Sequence, residues 1–187
     1  MRTTKAWPRP AIIMMAASVM LVGCERDPVR VESVNATRLT PTEGSASAQI
    51  AASGTFTQTA ITSVDVSVAG PNTLIDQTAM GTITGTLTGH FEDDLKVVIH
   101  PNGKFNATFT VRCVCTVDGK LGVIEIVAGD TGELLSPTLA TFAGRAVIKG
   151  GTGALSALRG VLQLEGTVNV TTGLATYGYT GEVHFEP

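Results

Sequence analysis

From about Gln49 to the C-terminus, short runs of alternating apolar and polar residues are broken by turn-forming tetrapeptides. This period of two predicts half-buried β-strands. In "GTITGTLTGHF", Thr82, Thr84, Thr86 and Thr88 share one face, while Ile83, Leu87 and Phe91 share the other with glycines between them. Threonine suits a solvated strand face, because its β-branch fits the pleat and its hydroxyl stays wet. Glycines on the inner face permit the bend that a closing barrel requires. Next, in "LKVVIHPNGKFNATFTVRCVC", the tetrapeptide HPNG predicts a type I turn with Pro101 in second place and Gly103 as its left-handed residue. That register sets Ile99 opposite Phe105. It aligns Leu95, Val97 and Ile99 with Phe105, Ala107, Phe109 and Val111 on one apolar face.

The following hairpin turns at Asp118-Gly119, a strong two-residue type I′ signal. Pairing Val117 with Lys120 puts Arg112 across from Glu125 outside and leaves Ile124 and Ile126 facing the core. A three-residue loop would instead turn Glu125 inward against Val111, so the pairing of opposite charges favours the first register. Further strands are expected over residues 137–148, 161–170 and 175–185, and no helical run of ten residues interrupts them. The fold class is therefore all-β: seven or eight antiparallel strands in a meander that closes as a barrel or stacks as a sandwich.

"IKGGTGALSALRG", residues 148–160, holds four of the chain's 21 glycines. A Walker-type loop needs Lys and Ser or Thr after its last glycine, yet Ala154 and Leu155 follow Gly153. A dinucleotide loop needs a βαβ unit, and the surrounding pattern is antiparallel. A short helical turn carrying Ala154, Leu155, Ala157 and Leu158 across one end of the barrel fits better. Gly160 then releases the chain into the next strand.

This order of a Pro-Asn-Gly turn, an Asp-Gly turn, "GGTGALSALRG" and a terminal "GYTGEVHF" resembles the DUF3224-type proteins of the allene oxide cyclase-like (dirigent-like) barrel superfamily. The resemblance covers roughly residues 50–187 and is most specific at Gly150–Gly160 and Tyr177–Phe185. It implies a single eight-stranded antiparallel barrel around an apolar cavity. The superfamily includes cyclases and proteins that steer coupling reactions. No motif here matches the cyclase catalytic residues, so none is carried over, and a shared fold does not by itself supply a function.

The N-terminus reads differently. Arg2, Lys5 and Arg9 precede twelve uncharged residues, Ala11 to Val22, and then "LVGC". The run is shorter than the ~20 residues of a membrane-spanning helix and suits a secretory signal. "LVGC" resembles a bacterial lipobox, which implies lipidation of Cys24 after removal of residues 1–23. Residues 24–48, polar and without periodicity, read as a tether, and residues 49–187 as the barrel domain. Glu25 after the cysteine favours the outer membrane if the cell has two. Cleavage leaves 10 basic against 16 acidic residues, a net charge of −6, which argues against a nucleic-acid partner. The membrane, through Cys24, is the expected partner; the sequence says nothing of oligomeric state.

Candidate chemistry is sparse. Cys113 and Cys115 in "RCVCT" share a strand face with Phe109 and Val111. Their Cα atoms are expected roughly 6.5–7 Å apart, at or beyond disulfide reach, so they read as core residues or as thiols lining a cavity. His90, His100 and His184 fall at separate strand ends and form no triad, and Glu92, Asp93 and Asp94 read as a solvated hairpin turn. No metal site or cofactor motif is expected. Tyr177 and Tyr179 share a face with Val183 and Phe185 and are either core aromatics or polar handles inside the barrel. With Phe105, Phe109, Cys113 and Cys115 they are the candidate cavity-lining residues. Three readings follow: a lipoprotein whose barrel binds an apolar small molecule, a cyclase- or isomerase-type enzyme, and an interaction module with a solid core. A cavity of ~300 Å³ or more separates the first two from the third, and a perturbed titratable group inside it favours catalysis. No inward carboxylate is expected.

Overall fold

Alternation is cleanest in strand β4 (Lys104–Val117), where Phe105, Ala107, Phe109, Val111, Cys113, Cys115 and Val117 are all buried and the residues between them face outward. The computed structural model describes residues 48–187. The other strands are β1 (Ile50–Ala69), β2 (Asn72–Gly85), β3 (Leu87–Ile99), β5 (Lys120–Ser136), β6 (Leu139–Gly151), β7 (Leu158–Asn169) and β8 (Ala175–Phe185). Each pairs antiparallel with the next, and β8 pairs back onto β1, closing one barrel-like ring of eight strands. Closure removes the sheet edges that an open meander would expose.

Both turn assignments hold in register. Ile99 lies opposite Phe105, and the Gly103 N–H donates to the His100 carbonyl at 3.0 Å with Gly103 at φ +79°. Val117 pairs with Lys120 and Arg112 with Glu125, with Asp118 at φ +49° and Gly119 at +71° as a type I′ turn demands. Ile124 and Ile126 are buried.

Four expectations change. The stretch "GTITGTLTGHF" contains a turn, since β2 ends at Gly85 and β3 begins at Leu87, although Ile83, Leu87 and Phe91 still share the inner face. Glu92, Asp93 and Asp94 form no turn. They sit within β3, paired with Arg112, Val111 and Thr110 on one side and with Met80, Ala79 and Thr78 on the other. A strand hydrogen-bonded along both edges carries its acids in alternation, so Glu92 and Asp94 point out and Asp93 points in. Cys113 and Cys115 are joined as a disulfide, because the backbone of β4 draws their Cα atoms to 5.4 Å rather than the expected 6.5–7 Å. Finally, the turn Gly153–Leu155 covers one barrel end with only Leu155 and Leu158, both fully buried, while Ala154 is exposed and Ala157 half-buried.

The two ends of the ring therefore differ. The plugged end collects the β2–β3 and β4–β5 turns and the two leucines. The opposite end collects the β1–β2, β3–β4, β5–β6 and β7–β8 connections. Tyr179 pins the plugged end: its hydroxyl accepts the Leu87 N–H at 2.9 Å and donates to the Thr84 carbonyl at 3.2 Å across the tight β2–β3 turn. Tyr179→Phe leaves that buried N–H without a partner and is expected to cost about 1–3 kcal/mol in chemical denaturation. Unchanged stability would show that the turn does not depend on the phenol.

Candidate functional site

Inside the ring, between the plug and the opposite end, lies a cluster of aromatic rings centred on Tyr177. It stacks on Phe56 at 4.9 Å and meets Phe142 and Phe109 edge-on at 5.6 and 6.2 Å. Above this floor are two cavities of about 60 and 130 Å³ that share Gln58, Leu95, Val97, Phe105, Val168 and Ala175 in their walls. The smaller reaches down to Asp93, Asp130, Phe109, Phe142 and Tyr177, and the larger reaches the rim at Ile75, Ile99, Leu134 and Val170. Leu134 and Val170 are each 39 % exposed there. The volume is below the ~300 Å³ expected of a ligand-binding or catalytic barrel, so size alone favours the interaction-module reading, and the space admits at most one narrow group.

Of the candidate lining residues, Phe105, Phe109 and Tyr177 border this space. Cys113, Cys115 and Tyr179 do not; they lie toward the plugged end, the cysteines held in their disulfide and Tyr179 occupied by the β2–β3 turn. His90 is exposed on β3 and His184 half-buried on β8. His100, at the β3–β4 turn, hydrogen-bonds Asn72 at 3.1 Å and Asn106 at 3.0 Å. Among the described residues, no group of three or more His, Cys, Asp or Glu converges to hold a metal ion. Cys24 and its tether lie outside the described residues.

The residues that sequence reasoning missed are the two inward acids and the amide that organises one of them. Asp93 is 2 % exposed, yet both its oxygens are occupied: Oδ2 accepts the Gln58 side-chain amide at 2.8 Å and Oδ1 accepts the Ala79 N–H at 3.2 Å. Ala79 needs that acceptor because β1 slips by one residue between Gln58 and Ala60 and again between Ile61 and Ser63. The Gln58 carbonyl in turn accepts the Ala175 N–H at 2.8 Å. Asp93 is thus held as part of the barrel wall.

Asp130 is different. It is 5 % exposed, and its Oδ1 has no hydrogen-bond partner among the described residues. Its cross-strand partner is Gly144, where even a methyl group would collide with the Asp130 carboxylate. The Tyr177 hydroxyl, on a residue 3 % exposed, is likewise unpartnered. Buried polar atoms are paired in the great majority of cases, so two orphans bordering one small cavity mark it for a ligand or ordered solvent.

Burial governs the electrostatics. It raises Asp93 to about 6, outweighing the two hydrogen bonds that pull it down, with Asp94 and Glu92 adding to the rise. It raises Asp130 to about 6 as well. Tyr177 is pushed well above its ordinary value by burial first, then by the charges of Asp93 and Asp130, so the phenol stays protonated and can donate. The phase of the strands carried a signal for these acids. Phe91–Asp93–Leu95 and Ile124–Ile126–Ala128–Asp130 each continue an inward alternation through a carboxylate.

Because the folded-state value of Asp130 lies above the ordinary 3.8, the folded chain binds more protons between about pH 4 and 6, and stability falls as pH rises through that window. Asp130→Asn removes the penalty. Its unfolding free energy should exceed that of wild type at pH 8 by about 1–2 kcal/mol, with the difference shrinking through pH 6 to 4 and vanishing only below about pH 4. A variant that is less stable at every pH would mean that the carboxylate has a partner holding the fold. No protein-family model, curated protein or solved structure matches the chain.

Proposed function

We propose that this chain is an exported lipoprotein whose barrel binds one slender, largely apolar small molecule through the end opposite the plug. One observation carries the reading: the free Asp130 Oδ1 and the free Tyr177 hydroxyl border a cavity whose other walls are apolar except for Gln58 and Asp93, which already hydrogen-bond each other. Apolar walls with a few fixed polar groups are the general form of a small-molecule site, the walls supplying affinity and the polar groups orientation. The rim side chains Ile75, Ile99, Leu134 and Val170 offer the inserted molecule a hydrophobic entry. Export is supported by the signal-like N-terminus and by the Cys113–Cys115 disulfide, a bond that persists in oxidising compartments. The eight-stranded meander supports kinship with the allene oxide cyclase-like barrels.

A second reading, a cyclase- or isomerase-type enzyme, is favoured by the acid just described. A carboxyl raised to about 6 beside a protonated phenol can exchange a proton with a bound substrate near neutral pH. Enclosure by the ring would restrict the substrate to one conformation.

Native mass spectrometry of the purified protein, exposed to a lipid and metabolite extract, separates the readings. A binding barrel yields an adduct that Tyr177→Phe weakens by about tenfold, the loss of one buried hydrogen bond. An enzyme converts the recovered compound, with a rate that depends on an ionisation near pH 6 and collapses in Asp130→Asn. A bare mass in every extract sinks both and leaves an interaction domain that works through its outer surface.

A further inference from the structure

We propose that the molecule entering this cavity does so head first, and that its head is a compact cation, a primary ammonium carried on a short unbranched aliphatic chain. The inference rests on the binding reading above and adds the ligand class. It stands on what lines the cavity and on what does not. Two carboxylates, Asp93 on β3 and Asp130 on β5, border the deep cavity together with Tyr177 on β8. Among the described residues, no lysine, arginine or histidine lines either cavity. The remaining polar side chains in the walls are the amides Gln58 on β1 and Gln77 on β2. The strands flanking Asp130 present Ala107 and Gly144 to it, neither of them charged.

A buried carboxylate is normally held by a counter-charge or by hydrogen bonds. Asp93 has the hydrogen bonds. Asp130 has neither for its Oδ1. The charges of both acids are felt at the Tyr177 hydroxyl, which places their fields over the same small volume. An anionic head would add a third negative charge beside the two carboxylates. An alcohol would satisfy one orphan oxygen and leave the field uncompensated. An ammonium group brings three donors and a positive charge, so it can meet Asp130 Oδ1 and the Tyr177 oxygen together through charge-assisted bonds. Space argues for the same class. The deep cavity, about 60 Å³, suits a head of few atoms, and the outer one, about 130 Å³, is walled by Leu95, Val97, Ile99 and Val168 for a narrow aliphatic stem.

Isothermal titration of the purified protein with n-hexylammonium, 1-hexanol and hexanoate tests this at one chain length. At pH 7.5, hexylammonium should bind at least about tenfold tighter than hexanol, with hexanoate weakest. Asp130→Asn, which keeps the shape of the side chain and an acceptor oxygen, should reduce the ammonium to about the affinity of the alcohol while changing the alcohol far less. In wild type, ammonium binding should weaken by about tenfold between pH 7.5 and pH 5 as Asp130 takes up a proton, whereas alcohol binding should not. Equal binding of hexylammonium and hexanol, or a preference for hexanoate, overturns the cationic head and leaves the binding barrel standing. Failure of all three to bind overturns both.

Discussion

The barrel depends on how one side chain handles the place where its ring stops being a sheet. Pairing between β1 and β8 runs from Ile50–Val183 to Thr57–Thr176 and goes no further. At the next residue the Gln58 side chain takes over, accepting the Ala175 N–H of β8 with its carbonyl and donating to Asp93 of β3 with its amide, each at 2.8 Å. Three strands are tied by one buried group. Immediately afterward β1 slips its register twice against β2, and the remainder of β1, to Ala69, continues beyond β8 with Val64, Val66 and Val68 exposed. A β-bulge bends a strand and strengthens its twist. Here it turns β1 away from β8 and leaves space within the ring.

The asymmetry of the interior follows. At the plugged end, Leu155 and Leu158 are fully buried, and Tyr179 fastens the β2–β3 turn to the barrel wall. In the middle, the rings around Tyr177 pack edge-on and stacked, the arrangements aromatic pairs prefer. Past that layer the walls become aliphatic and the packing stops short of filling the ring. A core completed by apolar residues would have placed an alanine or leucine at position 130. The chain instead keeps a carboxylate there, against a glycine that leaves it room. Burying a charge without a partner opposes folding, and residues that do so cluster at functional sites. That contrast between Asp93, which repairs the bulge, and Asp130, which repairs nothing, distinguishes the structural acid from the one available to a ligand.

Much of this was legible in the residues. The turns at His100–Gly103 and Asp118–Gly119 determine their own backbone geometry, so the registers of β3–β4 and β4–β5 follow from local chemistry, down to Arg112 facing Glu125. The glycine-rich segment before β7 was legible as a cap rather than a phosphate loop for the same reason, since its neighbours alternate with a period of two. The acidic run misled because three adjacent carboxylates resemble a solvated loop by composition, whereas hydrogen bonding along both edges of β3 settles the matter by alternation. The cysteine pair misled because ideal strand geometry sets its spacing, and β4 departs from that geometry.

Period and turn chemistry are local properties, and the sequence by itself determined the all-β class, the strand ends at the two hairpin turns, the limits of β8, two hairpin registers and the inward face of Phe105 and Phe109. Ring closure is not local. Gln58 meets Ala175 across 117 positions of chain and Asp93 across 35, and no periodicity encodes such meetings. Only the tertiary structure decided that Asp93 would be satisfied and Asp130 would not, because the difference lies in which backbone groups the bulge leaves unpaired and where the opposite wall stands.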